Sequence, residues 1–297
     1  MKLPNFLIVG AAKAGTTSLC YYLDQHPQVY ISPIKEPRFF APEFYTAHTN
    51  GPIRDNARRT IFTSDEYYQL FEGVSTETAI GEASTEYLYY PEVPSRIQAK
   101  VPDAKIIAVL RNPVERAFSA FCYQVRDACE SVSFEEALQE ENDRICNHWR
   151  PGWLYKDCGF YYSQVKRYFD IFNHNRIKIY LYDELDKDSY AVVKDAFEFL
   201  QVDSDFVPEV SRKNVSKVPK SRLLNTFLTR ESPLKKTLKA VLPDNFTTSI
   251  AKCVRGLNYS QKPILTSETR QSLIDLYRDD ILRLETLIQK DLSAWLD

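Results

Sequence analysis

The sequence predicts an α/β fold, a P-loop-like three-layer arrangement with a central parallel sheet and helices on both faces. Three observations carry that prediction. Short apolar runs alternate with amphipathic, helix-length segments from about residue 5 to residue 200, the pattern of strand–helix–strand crossovers. The first run, Phe6-Leu7-Ile8-Val9, empties into a loop bounded by Gly10 and Gly15 and then into Thr16-Thr17-Ser18. A later run, Ile106-Ile107-Ala108-Val109-Leu110, is apolar without interruption, as a strand covered on both faces requires.

Each element follows from its residues. Asn5 to Gln25 read as strand, loop and helix, with the helix closed by His26-Pro27. Val29 to Ser32 form a short strand, Lys35 to Phe40 a loop or short helical turn, and the polar stretch Ala41 to Ser64 an irregular flap. Asp65 to Phe71 read as a helix with Ser64 as N-cap. Ala79 to Glu82 read as a buried strand, Pro94 to Lys100 as a helix, and Lys105 to Leu110 as the central strand. Helices follow over Val114 to Cys129 and over Phe134 to Asn142, the second capped by Ser133. Trp149 to Gly159 is an aromatic loop whose Trp149, Trp153 and Tyr155 suit stacking on a sugar ring or an apolar tail, or a partner surface. Tyr161 to Phe172 is an amphipathic helix, Ile177 to Tyr182 a strand and Tyr190 to Leu200 a helix. The pattern weakens from Asp203 to Pro263, with helices expected over Leu223 to Leu257. Ser267 to Asp291 is a long amphipathic helix read as packing.

The loop after the first strand is built for an anion. Amide N–H groups at a helix N-terminus, and the dipole behind them, point at a ligand. Gly15 lets the backbone approach an oxyanion closely, and Thr16, Thr17 and Ser18 add hydroxyl donors. The glycine and hydroxyl positions match the G-x-x-x-x-G-K-[ST] pattern of nucleotide P-loops. Yet Thr16 stands where the lysine belongs, and Lys13 lies inside the loop. The later strand ends in Arg111-Asn112-Pro113, where a metal-holding aspartate would stand in an NTPase. A guanidinium there repels a metal and attracts a phosphate. Lys13 and Arg111 both fall at carboxyl ends of parallel strands, where one nucleotide crevice is expected. A plain strand–turn–helix with a surface lysine is the bland alternative, disfavoured by the coincidence of Gly10, Lys13, Gly15 and three hydroxyls.

These residues resemble a family. Gly10-x-x-Lys13-x-Gly15-Thr16-Thr17-Ser18 resembles the 5′-phosphosulfate loop of sulfotransferases that use 3′-phosphoadenosine 5′-phosphosulfate (PAPS). Val109-Leu110-Arg111-Asn112-Pro113-x-x-Arg116-Ala117-x-Ser119 resembles their 3′-phosphate motif, with serine eight residues after the strand-end arginine. Lys35-Glu36-Pro37-Arg38-Phe39-Phe40 resembles the K-E-x-x-F-F segment of the heparan-sulfate-type and related bacterial branch. Gly81 to Leu88 sits where that branch has E-K-S-x-x-Y, with Ala83 in place of the lysine. Order and spacing agree from about Asn5 to Leu200, and a weaker match resumes over Glu268 to Leu296.

The resemblance implies a role for each position. Lys13 with Ala14, Gly15, Thr16, Thr17 and Ser18 would hold the 5′-phosphosulfate of PAPS, the co-substrate, with no metal. Arg111 and Ser119 would grip its 3′-phosphate, joined by Arg212, Lys213 and Lys217 of a basic loop. A solvated basic loop is an equal alternative for those last three. Lys13 would also be catalytic, stabilising or protonating the leaving oxygen, and Glu36 would be the base. A surface glutamate paired with Lys35 or Arg38 is the alternative for Glu36, and Glu82 and His48 are reserve bases. Lys35, Glu82, Ser84 and Tyr87 are expected on the acceptor side. The implied organisation is one domain over 1–297. It has a nucleotide-binding core of about 4–200, a basic loop and helical acceptor-side region of about 203–266, and a packing helix of about 267–297.

Composition narrows the partners. The chain has 297 residues and a net charge of −2, which with Ala83 argues against a long polyanionic acceptor. A small-molecule or carbohydrate hydroxyl is expected, lipid and polyketide hydroxyls included, and no nucleic acid. The six cysteines include no C-x-x-C pair, and the four histidines show no ligand spacing, so no metal site is predicted. No apolar stretch approaches a membrane span, and cytoplasmic residence is the default expectation. Oligomeric state is not legible. Two other readings stay open: a kinase-like P-loop phosphotransferase, and a nucleotide-binding protein without catalysis.

Overall fold

The computed structural model describes residues 2–52, 61–210 and 264–297, with the backbone of 218–219 and 259–260. Arg212, Lys213 and Lys217, and the helices expected over 223–257, lie outside the described residues. Five strands, β1 (Phe6–Gly10), β2 (Val29–Ile31), β3 (Ala79–Ala83), β4 (Lys105–Leu110) and β5 (Ile177–Leu181), form one sheet. Their order is β2-β3-β1-β4-β5, with every neighbouring pair parallel. All five residues of β1 are buried, which is why its sequence does not alternate. A two-residue antiparallel ladder, β6 (Val218–Pro219) with β7 (Tyr259–Ser260), stands apart from this sheet.

The strand order creates the crevice. From β1 the chain crosses to β2 on one side, and from β4 it continues to β5 on the other. Adjacent strands whose connections depart in opposite directions open a gap at their carboxyl ends, where ligands bind in such sheets. Gly10 pairs with Ala108 just before those ends, so the segments after β1 and β4 flank the gap.

The helices are α1 (Thr16–Leu23), α2 (Glu43–Thr46), α3 (Ser64–Gln69), α4 (Val93–Lys100), α5 (Pro113–Arg126), α6 (Phe134–Gln139), α7 (Glu141–Cys146), α8 (Tyr161–Ile171), α9 (Tyr182–Lys187), α10 (Ser189–Leu200) and, at the C-terminus, α11 (Ser267–Ile288). They pack in two groups: α10 with α1 and α9, and α8 with α4 and α11, with α11 also against α5. Among the described residues no helix is long and apolar enough to cross a membrane.

Local chemistry corrects several boundaries. Thr63, not Ser64, caps α3: its extended backbone lets the hydroxyl accept from the Glu66 amide, while Glu66 reaches back. Asn112 caps α5, its Oδ1 accepting from the amides of Val114 and Glu115 at 2.9 and 3.4 Å. The helix expected over 134–142 divides at Glu140 into α6 and α7. The strand expected to include Tyr182 stops at Leu181, and Tyr182 opens α9, a helix the sequence reading passed over. The aromatic loop is largely core: Tyr155 is fully buried and donates to Glu130 Oε2 at 2.8 Å, and Trp153 is buried as well. Neither offers a face to a sugar, which corrects the stacking expectation for both. Trp149 covers Gly51 instead.

Candidate active site

The loop after β1 is a tight turn leading into α1. Lys13 and Gly15 both take left-handed backbone angles, with φ of 71° and 93°. A Cβ on Gly15 would stand 3.0 Å from the Tyr182 ring and 3.2 Å from Leu185, so α9 presses on the loop and only glycine fits. No side chain caps α1. The Ser18 amide turns back to the Gly15 carbonyl at 2.9 Å, and the amides of Thr16 and Thr17 are left for water or a ligand. Ala14 is buried, and its amide is bonded within the loop to the Ala11 carbonyl at 3.3 Å. Thr16 is buried, Ser18 half-buried and Thr17 exposed. Lys35 reaches across from the segment after β2 to donate to the Thr17 hydroxyl, which places it beside the loop.

Lys13 and Arg111 meet across the β1/β4 gap. Arg111 donates through Nη1 to the Lys13 carbonyl at 3.4 Å. Its guanidinium stacks over the Tyr182 ring at 4.4 Å and lies 3.7 Å from Glu115. The Lys13 ammonium sits over the Tyr123 ring at 4.0 Å. Burial, then the charge of Arg126 and more weakly that of Arg111, lower the Lys13 pKa to about 8, against the pull of Asp127 and Glu36. Ser119 is buried on α5, four residues before Tyr123 and on the same stripe of the helix.

Glu36 lies at a tight bend over the end of β3. Its φ is 64° and that of Arg38 is 54°, and its amide donates to the Ala83 carbonyl at 2.9 Å. Its carboxylate pairs with Arg38 and accepts from the Thr85 hydroxyl at 3.1 Å. Arg38 also pairs with Glu86 at 2.9 Å and packs over Phe44 at 4.3 Å. Burial works against the Arg38 charge, but Glu86 and Glu36 outweigh it and raise its pKa above the ordinary guanidinium value. Burial in turn raises the pKa of Glu86, against the stabilising charge of Arg38.

Glu82, Ser84 and Tyr87 do not line an open acceptor wall, which corrects the sequence expectation. All three are fully buried. Glu82 accepts from Tyr67 at 3.0 Å, Tyr87 at 2.9 Å and Ser84 at 2.9 Å. Burial raises its pKa to about 7 despite those three hydroxyls. Ser84 Oγ and Tyr87 OH in turn accept from the amides of Arg38 and Phe40 at 3.1 and 3.2 Å. The trio thus anchors the segment that carries Glu36. His48 faces Tyr90 OH at 3.1 Å, and burial lowers its pKa.

Residues 4–205 match the model of the Sulfotransferase family. The chain belongs to that family. A sulfotransferase from Alicyclobacillus acidocaldarius matches it in structure over 100% of both chains, at 38% identity and a TM-score of 0.80. The human bifunctional heparan sulfate N-deacetylase/N-sulfotransferase 3 is 28% identical over 99% of this chain and 31% of its own length. The membrane-associated sulfotransferase kil1 of Dictyostelium discoideum is 31% identical over 48% of this chain and 29% of its own length. The chain thus spans under a third of the length of these two curated relatives. The resemblance read from the loop and strand-end motifs is borne out, and sulfuryl transfer is the chemistry of the family.

In this sulfotransferase the sequence reading left several neighbours of the site unremarked. Glu86 joins Glu36 and Arg38, whose pairing is itself the alternative expected for Glu36. Tyr182 backs Arg111, and Tyr123 and Arg126 flank Lys13. Spacing carried one signal: Tyr123 follows Ser119 by four residues on one helix. The others depend on left-handed turns and chain crossings that no spacing rule announces.

Proposed function

We propose that this sulfotransferase takes its sulfuryl group from PAPS and passes it, by in-line displacement without a metal, to the hydroxyl of a small molecule or carbohydrate. The observation that supports this reading best is the contact of Arg111 with Lys13 beside the uncapped start of α1. Cations on both walls of one crevice and spare amides between them suit a nucleotide phosphorylated at two ends.

The loop amides of Gly15 and Thr16, with the hydroxyls of Thr16, Thr17 and Ser18, are assigned to the 5′-phosphate. Arg111 and Ser119 are assigned to the 3′-phosphate. Arg212, Lys213 and Lys217 stay assigned there on sequence alone. As the acceptor oxygen bonds to sulfur, the bond from sulfur to the bridging oxygen breaks, and adenosine 3′,5′-bisphosphate departs. Charge grows on that bridging oxygen, and the Lys13 ammonium is the group assigned to stabilise it. The acceptor proton goes to Glu36. Arg38 holds that carboxylate oriented beforehand, and keeps Glu86 as a partner once Glu36 has taken the proton. Glu82, Ser84 and Tyr87 contribute by anchoring this segment. Residues 1–297 are read as one catalytic domain, with the acceptor side in 203–266.

Calorimetry with adenosine 3′,5′-bisphosphate and with ATP–Mg²⁺ tests the donor half, and tighter binding of ATP–Mg²⁺ would overturn it. A PAPS-loaded screen of hydroxyl acceptors, read as a mass gain of one sulfate, tests the acceptor half. An amine arm belongs in that screen, and transfer confined to amines would replace the hydroxyl reading.

A further inference from the structure

We infer that Tyr123 is a positioning residue for Lys13, its ring being the platform that seats the loop ammonium for transfer. This rests on the reading of Lys13 as the group that acts at the bridging oxygen. The Lys13 Nζ lies 4.0 Å from the Tyr123 ring centroid, and the Arg126 guanidinium lies 4.4 Å from the same centroid. A ring face attracts a cation most when both are partly desolvated, and Tyr123 and Lys13 are both half-buried.

The seat is built from two elements. The Lys13 main chain is held by its left-handed turn and by the Arg111 contact on its carbonyl. The ammonium end is held by α5. Between those ends lies a flexible four-carbon stem, which without a platform samples many rotamers. Ser119, Tyr123 and Arg126 stand at i, i+4 and i+7 of α5, one continuous stripe of that helix. The face that carries the hydroxyl assigned to the 3′-phosphate therefore also carries the ring under Lys13. Arg126 brings a second cation to that ring, and its Nε donates to Asp127 Oδ1 at 3.2 Å. With like charge beside it, the ammonium has reason to turn toward an incoming phosphate while the ring limits how far it strays.

The test compares Tyr123→Phe, which keeps the ring, with Tyr123→Leu, which removes it. Tyr123→Met fills similar volume and replaces Leu if that variant does not fold. Two readouts are taken. Labelling of Lys13 by an amine-directed ester at pH 8, in the nucleotide-free protein, is followed by mass spectrometry. Turnover of PAPS is followed as release of adenosine 3′,5′-bisphosphate. Tyr123→Leu should label Lys13 several-fold faster and lower kcat by about 3- to 30-fold, with a smaller change in the KM for PAPS. Tyr123→Phe should match the parent in both. If Tyr123→Leu equals the parent in both readouts, or Phe is as impaired as Leu, the platform role is wrong. Lys13→Met separates the two claims: undiminished turnover in that variant overturns the assignment of Lys13 itself. Loss of turnover there, with a parent-like Tyr123→Leu, overturns the platform alone.

Discussion

The Arg111 guanidinium donates to the main-chain carbonyl of Lys13 at 3.4 Å, although 98 positions separate the two residues. The sheet order makes this contact, because β1 and β4 are neighbours whose following segments open in opposite directions. Arg111 thus has a structural duty on the loop besides the phosphate contact proposed for it. Arg111→Ala should weaken binding of adenosine 3′,5′-bisphosphate by about 10- to 150-fold, the loss of one charge-assisted contact of about 1.5–3 kcal/mol. Arg111→Lys should recover only part of this, since an ammonium lacks the planar fork that serves loop, ring and phosphate together. Calorimetry on both variants checks it, and parent-like affinity in Arg111→Ala would contradict the assignment.

Lys13 makes nucleotide affinity depend on pH. Its pKa is lowered to about 8 by burial and by Arg126 and Arg111, against Asp127 and Glu36. Below that value the ammonium is charged and attracts phosphate, and above it the attraction fades. Affinity for adenosine 3′,5′-bisphosphate should fall as pH rises from about 8 to 10, with proton uptake on binding in that window. The same shift sets a stability sign: between pH 8 and its ordinary 10.5 the unfolded chain binds the extra proton, so Lys13 makes the free protein more stable as pH rises there. Lys13→Met should flatten the affinity profile. A profile unchanged in that variant would show that another group titrates.

Glu36→Gln should lower turnover by about 10²–10⁴-fold while leaving affinity for adenosine 3′,5′-bisphosphate within about twofold of the parent. Single-turnover measurement with PAPS and an acceptor found by the screen separates the two quantities. Parent-like turnover would place the base elsewhere.

Arg38 sits between Glu36 and Glu86 with its side chain almost wholly buried. Arg38→Met strands two carboxylates around an apolar group and should cost about 3–5 kcal/mol of stability. Adding Glu86→Gln to it should return part of the loss, because one stranded charge is removed. Urea denaturation of the single and double variants measures this, and equal stability of the parent and Arg38→Met would refute it.

Glu82 gives the opposite pH slope to Lys13. The folded chain keeps its proton up to about pH 7, whereas the unfolded chain releases it near the ordinary 4.5. Between those values the folded state binds more protons, so its contribution to stability falls as pH rises. Glu82→Gln should remove that slope, seen as a smaller stability difference between pH 5 and pH 7.5 than the parent shows. A slope identical to the parent's would mean Glu82 is ionised throughout.

The amino-acid sequence by itself determined the α/β class, the five strand segments to within one or two residues, the anion loop and the arginine at the end of β4. These were legible because they are local: an uninterrupted apolar run, a pair of glycines, a row of hydroxyls, a cation at a strand terminus. Tertiary structure alone decided which side chains share a space. It buried Glu82, Ser84 and Tyr87 beneath the Glu36 segment and sent Trp153 and Tyr155 into the core. It also laid Lys13 over Tyr123 and set Arg38 between two carboxylates. The physical reason is that a residue's type and neighbours set its backbone preference, whereas burial, charge pairing and ring contact depend on segments brought together from distant parts of the chain.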